Sequence, residues 1–275
     1  MDSSKIDIIL VNSFADIDNV MHLHKTIWGL EDLEITPSHI YTATNHAGGH
    51  TLIASVNDNP VGYIYGFPGI DSNHDSYFYI HNIGVLEKYR SLGIGMQLML
   101  ELRKLLIEEG YCLVKWTYDP LETLNASLYI GKLGGISNHY IEEYYGKMND
   151  NINKGLPSDR LNLYWYIKSG HVIERLNHIF KKHSTVFDNT LCINAIGEND
   201  CPEDISVKQN QQKYYLQSPA NYYDLKQQSE NTVYQWRMNL RKHMQKAFSE
   251  GLFVTDTIYT QNNFFYLLSQ SPLNT

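Results

Sequence analysis

The sequence predicts a mixed α/β chain (an α+β arrangement of helices on one twisted sheet) on three grounds. Short β-branched runs fill the first 85 residues, two of them flanking a turn that suits a hairpin. A stretch with apolar residues at helical spacing then lies between two further strand-like runs, marked off by glycines. Strand-helix alternation after a hairpin fits neither a helical bundle nor a sandwich.

Ile6–Val11 reads as the first strand. Asp16–Trp28 reads as a helix, since Ile17, Val20, Met21, Leu23, Ile27 and Trp28 recur at helical spacing. Pro37, Gly48 and Gly49 interrupt the next stretch. Thr51–Val56 and Val61–Phe67 read as two strands around Asn57-Asp58-Asn59-Pro60, and Tyr77–Val85 as a third. Met96–Glu109 predicts a helix with Leu98, Met99, Leu102, Leu105 and Leu106 on its buried face, stopped at Gly110. Tyr111–Tyr118 predicts a strand, Asn125–Leu133 a short helix closed by Gly134-Gly135, and Arg160–Ile167 a further strand. These elements make a domain over residues 1–169.

Residues 170–275 read as a C-terminal extension. Gln and Asn accumulate from Asn189 to Gln228 without a strong period; Val233–Phe248 then carries Val233, Trp236, Leu240, Met244 and Phe248 at helical spacing, before a strand pair at Leu252–Tyr259 and Phe264–Leu268.

Composition narrows the function. Lys and Arg number 22 against 30 Asp and Glu, a net charge of −8, and the longest basic run is Lys181-Lys182-His183, so no nucleic-acid surface is expected. Cys112, Cys192 and Cys201 are far apart and lack metal or redox spacing, which suits a reducing, cytoplasmic setting. No apolar stretch approaches the ~20 residues of a membrane span. His22 and His24 stand two apart on a predicted helix, a spacing that does not share a face, and no metal is expected.

The sharpest local signal is Val85-Leu86-Glu87-Lys88-Tyr89-Arg90-Ser91-Leu92-Gly93-Ile94-Gly95, a strand end, a glycine-punctuated turn and a helix start. Glycines let a ligand approach the backbone, and amides at a helix N-terminus attract an anion; an ordinary tight turn would show the same pattern.

At this point the chain resembles the GNAT acyltransferases, whose signature Arg/Gln-x-x-Gly-x-Gly/Ala is matched by Arg90, Gly93 and Gly95 after Ile83, Gly84 and Val85. The resemblance covers roughly Ile6 to Ile167. It implies the GNAT acyl-CoA N-acyltransferase fold, splayed near Val85, with acetyl-CoA or another acyl-CoA as co-substrate. The turn Arg90, Ser91, Leu92, Gly93, Ile94, Gly95 and Met96 would hold the pyrophosphate, the strand end at Ile83 to Val85 the pantetheine arm, and Asn125 would join them. A narrower resemblance to a bacterial branch of predicted acyltransferases runs through Trp116–Leu121, Asn125-Ala126, Lys132–Gly134, Tyr144–Asp150 and Gly155–Arg160.

The implied reaction is transfer of an acetyl, succinyl or other short acyl group to the amine of a small molecule, such as an amino acid, by direct attack. The resemblance offers His81 as the base, with Tyr79 where serotonin acetyltransferase has a second histidine; a core histidine satisfied by a carbonyl is the competing reading. Many GNAT enzymes carry an acid for the thiolate four residues before the glycine that closes the second helix. Here that place is Ile130, with Tyr129 one residue off, which leaves the acid unassigned. Tyr145, Asp159 and Arg160 lie in the stretch Tyr140 to Arg160, expected to be a substrate-binding loop, where Arg160 could pair with a carboxylate; a solvated Asp159-Arg160 pair is the alternative. The rival function is a catalytically inactive, GNAT-like acyl-CoA binding or sensor module. The extension either completes the acceptor pocket or makes a homodimer.

Overall fold

A computed structural model describes residues 5–146, 155–177, 187–207, 211–260 and 263–274. Lys147–Asp150 and Lys181-Lys182-His183 lie outside the described residues. By compactness the chain divides within a strand, after Trp116, into two units. Residues 170–275, expected as an extension, share the second unit with 117–146 and 155–169.

The first unit contains β1 (Ile6–Leu10), α1 (Phe14–Trp28), α2 (Ser38–His46), β2 (His50–Val56), β3 (Asn59–Ile70), β4 (Ser76–Val85) and α3 (Ile94–Glu108), and β5 (Leu113–Tyr118) leads out of it. The strands stand in the order β1-β2-β3-β4-β5. Antiparallel pairing joins the first four, and β4 and β5 run parallel. Local chemistry explains the ends. Ser13 and Asp16 cap α1 reciprocally, Gly29 closes it at φ 66°, and Asn57 and Asp58 turn the β2-β3 hairpin with φ of 50° and 62°. Helix α2 has only Tyr41 fully buried, a weak apolar signal that the sequence pattern does not reveal.

One face of this sheet is covered by α1 and α2, with Ile17, Val20, Leu23 and Tyr41 packed against Ile53, Tyr63 and Tyr65. Helix α3 packs against β2, β3 and β4 through Leu98, Met99, Leu102 and Leu106, all buried. The β4-β5 ladder holds Phe78↔Val114 and Tyr79↔Lys115. Among the described residues the β4-β5 ladder holds no pair beyond Tyr79↔Lys115.

In the second unit α4 (Thr123–Ala126) runs into a π-helical turn at Ser127–Lys132, followed by β6 (Ile136–Ile141), β7 (Arg160–Tyr166) and α5 (Gly170–Asn177). A small pair, β8 (Asn194–Ile196) and β9 (Pro202–Asp204), precedes β10 (Lys213–Ser218), α6 (Tyr222–Gln228), α7 (Glu230–Ser249), β11 (Phe253–Thr260) and β12 (Asn263–Ser269). Its sheet runs β7-β6-β11-β12-β10, antiparallel throughout. Trp165, Trp236, Arg237, Tyr215, Phe264 and Tyr266 are its largest fully buried side chains. Strand β6 corrects the expectation of a loop from Tyr140: Ile136 and Tyr140 are buried on it, and irregular pairing with β7 between Ile136 and His139 had hidden its alternation. Cys112, expected inside a strand, stands exposed just before β5. Among the described residues no helix is long and apolar enough to cross a membrane.

Candidate active site

Between β4 and α3 the chain makes a single turn of 3-10 helix, Glu87–Tyr89, then a left-handed corner. Arg90 donates from Nε to the Val85 carbonyl at 3.2 Å, tying the corner to the strand end. Ser91 and Gly93 take φ of 67° and 79°, a region that favours glycine. A Cβ on Gly93 would meet nothing within 4 Å, and Ser91, Leu92 and Gly93 are all exposed. Helix α3 starts with no side-chain cap and no acidic residue in its first turn, although most helices use one or both. Its leading amides and positive dipole end are therefore available to an anion. Ile94 is fully buried and seats the helix, while Gly95 and Met96 are half-buried beside it. An open, left-handed, uncapped corner fits a pyrophosphate.

On β4, Ile83, Gly84 and Val85 pair with Ile64, Tyr63 and Gly62 of β3. Gly84 makes room for a neighbour: a Cβ there would lie 2.6 Å from Cη2 of Trp28 and 3.0 Å from Cδ1 of Ile27. The glycine thus lets the end of α1 close on the strand.

His81 sits at an irregularity. The register of β3 and β4 shifts between Tyr65↔Asn82 and Gly66↔Ile80, which leaves His81 as the extra, bulged residue. Its ring is reached by solvent on one side and walled on the other by Tyr65, edge-on at 5.9 Å, and Phe67 at 6.0 Å. Phe67 also contacts Tyr79 at 5.8 Å, so the two residues picked from the sequence share one aromatic neighbour. Removal of surrounding water holds the His81 pKa below its ordinary 6.5. The imidazole is therefore neutral at pH 7 and able to accept a proton.

Behind it lies a residue that sequence reasoning weighed only as a metal ligand. His24 is buried, with Nδ1 3.5 Å from the Tyr41 hydroxyl and Nε2 3.4 Å from the Asn82 amide nitrogen. Burial first, and the nearby His81 second, lower its pKa to about 4. The signal was present: Ile17, Val20 and His24 fall on one helical face. His22, by contrast, is exposed.

The remaining candidates lie in the second unit. Asn125 is half-buried on α4. Ile130, the place of the expected acid, is fully buried and aliphatic. Tyr129 stands in the π-helical turn, where the Leu133 amide reaches back five residues to Leu128 at 2.9 Å. A π turn absorbs one extra residue, so five residues from Tyr129 to Gly134 take the place of four in an α-helix. Burial pushes the Tyr129 hydroxyl pKa well up, which keeps it protonated.

Asp159 is completely buried and accepts from the Tyr140 hydroxyl at 2.7 Å, the Glu143 amide at 3.1 Å, and Arg241 at 2.8 and 2.9 Å. It braces β7 to α7. Arg160 is nearly as buried, 3.4 Å from Asp119 and 5.3 Å from the half-exposed ring of Tyr145. Arg237 grips Asp119 with both terminal nitrogens, at 2.7 and 2.5 Å. Burial raises the Asp119 pKa, but the two guanidinium groups, Arg237 foremost, outweigh it and leave the carboxyl below its ordinary value. The Asp159-Arg160 neighbours are thus parts of a buried ionic network.

The sequence model of the acetyltransferase (GNAT) family matches residues 17–134. No curated protein matches the chain significantly. Among solved structures the chain is similar to Naa50 from Arabidopsis thaliana in complex with the bisubstrate analogue CoA-Ac-MVNAL, at 20% identity and a TM-score of 0.46 over 58% of this chain and 97% of that one. A GNAT family acetyltransferase from Elizabethkingia anophelis with acetyl-CoA bound gives 19% and 0.45, over 58% and 97%. The ribosomal-protein-S18-alanine N-acetyltransferase of Escherichia coli gives 13% and 0.46, over 59% and 94%. The matched segment holds β4, the uncapped corner and α3, so it is this part of the chain that is similar to the acetyltransferase (GNAT) family.

Proposed function

We propose that the chain N-acylates a small-molecule amine in the cytoplasm by direct attack on an acyl-CoA, with His81 as the base. The observation that carries this reading is the uncapped, open corner Ser91–Gly93 following a strand whose bulge presents a neutral histidine. Acyl-CoA supplies a thioester carbonyl. The corner amides and the N-terminus of α3 would hold its pyrophosphate, and the free edge of β4 from Ile83 to Val85 would hold its pantetheine arm. His81 takes the proton from the acceptor's ammonium, directly or through water, and the freed lone pair forms the new N–C bond as the C–S bond breaks. A strand amide near Ile83 or Val85 stabilises the oxyanion. The leaving thiolate takes up the second proton that the nitrogen sheds as the amide forms. Three free cysteines, none of them paired, agree with a cytoplasmic setting.

The pH profile of kcat tests the roles. The rate should fall as pH drops through the His81 pKa, below 6.5. His81→Ala should lose that limb with a drop of about 10²- to 10⁴-fold. A His81→Ala enzyme with the wild-type rate and profile refutes the assignment.

A further inference from the structure

The floor around His81 carries no charge. Strands β3 and β4 together hold no lysine, arginine, aspartate or glutamate. From β3, Tyr65 and Phe67 join the apolar cluster under α1 and α2, and His24, on α1, is kept neutral at pH 7 by burial. The charged side chains of α1 are engaged elsewhere: Asp16 caps Ser13, Lys25 meets Asp32, and Asp18 is exposed. On β5, Lys115, which pairs with Tyr79 in the ladder, stands 3.5 Å from Asp71. Among the described residues no hydrogen bond or ion pair reaches the His81 ring, and its ring neighbours are Tyr65 and Phe67. Tyr65 is buried, whereas Phe67 is half-buried at the rim of the cluster.

We infer, on the reading of His81 as the base, that the acceptor is a monoamine on an uncharged, apolar body, and that Phe67 selects for that body. Two physical demands point the same way. An alkylammonium ordinarily holds its proton to about pH 10, so a weak base accepts it only where the ammonium is made a stronger acid. Uncharged walls that exclude water do this, whereas a carboxylate beside the amine would tighten its hold on the proton. The same walls disfavour a second charge on the acceptor, which would give up water for the faces of rings. Methylenes or an aromatic ring gain from that contact instead. Phe67 is placed to supply it: its ring centroid is 6.0 Å from that of His81, so an amine at the imidazole carries its first few carbons across the phenyl ring.

The test measures thiol release from acetyl-CoA with three acceptors of nearly equal length that differ at the far end: hexylamine, 1,5-diaminopentane and 5-aminopentanoate. Wild type should prefer hexylamine to each charged acceptor by about tenfold or more in kcat/KM. Phe67→Thr, which keeps a strand-forming side chain and removes the ring, should narrow both ratios toward one, through a higher KM for hexylamine with kcat largely kept. Phe67→Val should retain part of the preference. Either charged acceptor used by wild type as well as hexylamine overturns the inference, and a preference untouched by Phe67→Thr overturns the role of Phe67. In both cases thiol release that depends on His81 leaves the acyltransferase standing. No thiol release with any amine overturns both.

Discussion

Acidification should weaken the first unit through one buried imidazole. His24 has a folded-state pKa of about 4 against an ordinary 6.5. Between those values the unfolded chain binds a proton that the folded chain refuses, so stability is full above pH 6.5 and is lost as pH falls toward 4. At pH 5 the linkage amounts to about 2 kcal/mol, from about 1.36 kcal/mol for each pH unit separating the folded and unfolded pKa values, weighted by the protonation of each state. The perturbation is His24→Gln, which does not titrate yet can still bond Tyr41 and Asn82. Urea unfolding at pH 7 and pH 5 on both proteins isolates the effect, because every other acid-sensitive group cancels in the double difference. Wild type should lose about 2 kcal/mol more than His24→Gln over that interval. His81, also depressed by burial, acts in the same direction in both proteins and drops out. Parallel losses in the two proteins would refute the burial of a neutral His24.

Two packing predictions concern the buried network and the end of α1. Arg237→Met leaves Asp119 buried beside a weaker partner and should cost about 3–5 kcal/mol in chemical denaturation, whereas Asp119→Leu combined with Arg237→Met should recover most of it; a near-neutral single variant contradicts the network. Gly84→Ala pushes a methyl to 2.6 Å from Trp28 and should cost about 1–3 kcal/mol by overpacking, in part relieved by Trp28→Leu. An unchanged melting temperature would mean that the α1 end moves freely.

The elements that position the corner were legible because their signals are local. Apolar period, the Asn57-Asp58 turn and Gly110 are decided within a few residues, and they place β2 to β5 and α3 close to where the structure has them. What the sequence hid depends on distant partners. Strand β6 is irregular against β7, and α2 buries one residue. Asp119 and Arg237 are 118 positions apart, so neither announces the other. Asp159 and Arg160 stood out as a charged pair in sequence, yet each faces a different partner, and only folding shows which. Tyr129 stands in a π-helical turn, which a count at α-helical spacing does not anticipate. His81 was picked out through the family resemblance, and it sits on a bulge where the strand period of two breaks, which no local signal shows.

The most direct test of the central claim is free-thiol release from acetyl-CoA in the presence of an amine panel, on wild type and on Gly93→Trp. Gly93 is open and its φ is positive, so an indole there fills the corner and strains it without touching the core. The account predicts acceptor-dependent release by wild type and its loss in Gly93→Trp, with the melting-temperature rise caused by acetyl-CoA lost in parallel. Release undiminished by Gly93→Trp would contradict the placement of the pyrophosphate, and a wild type that binds acetyl-CoA yet releases no thiol would mark a binding module instead of an enzyme.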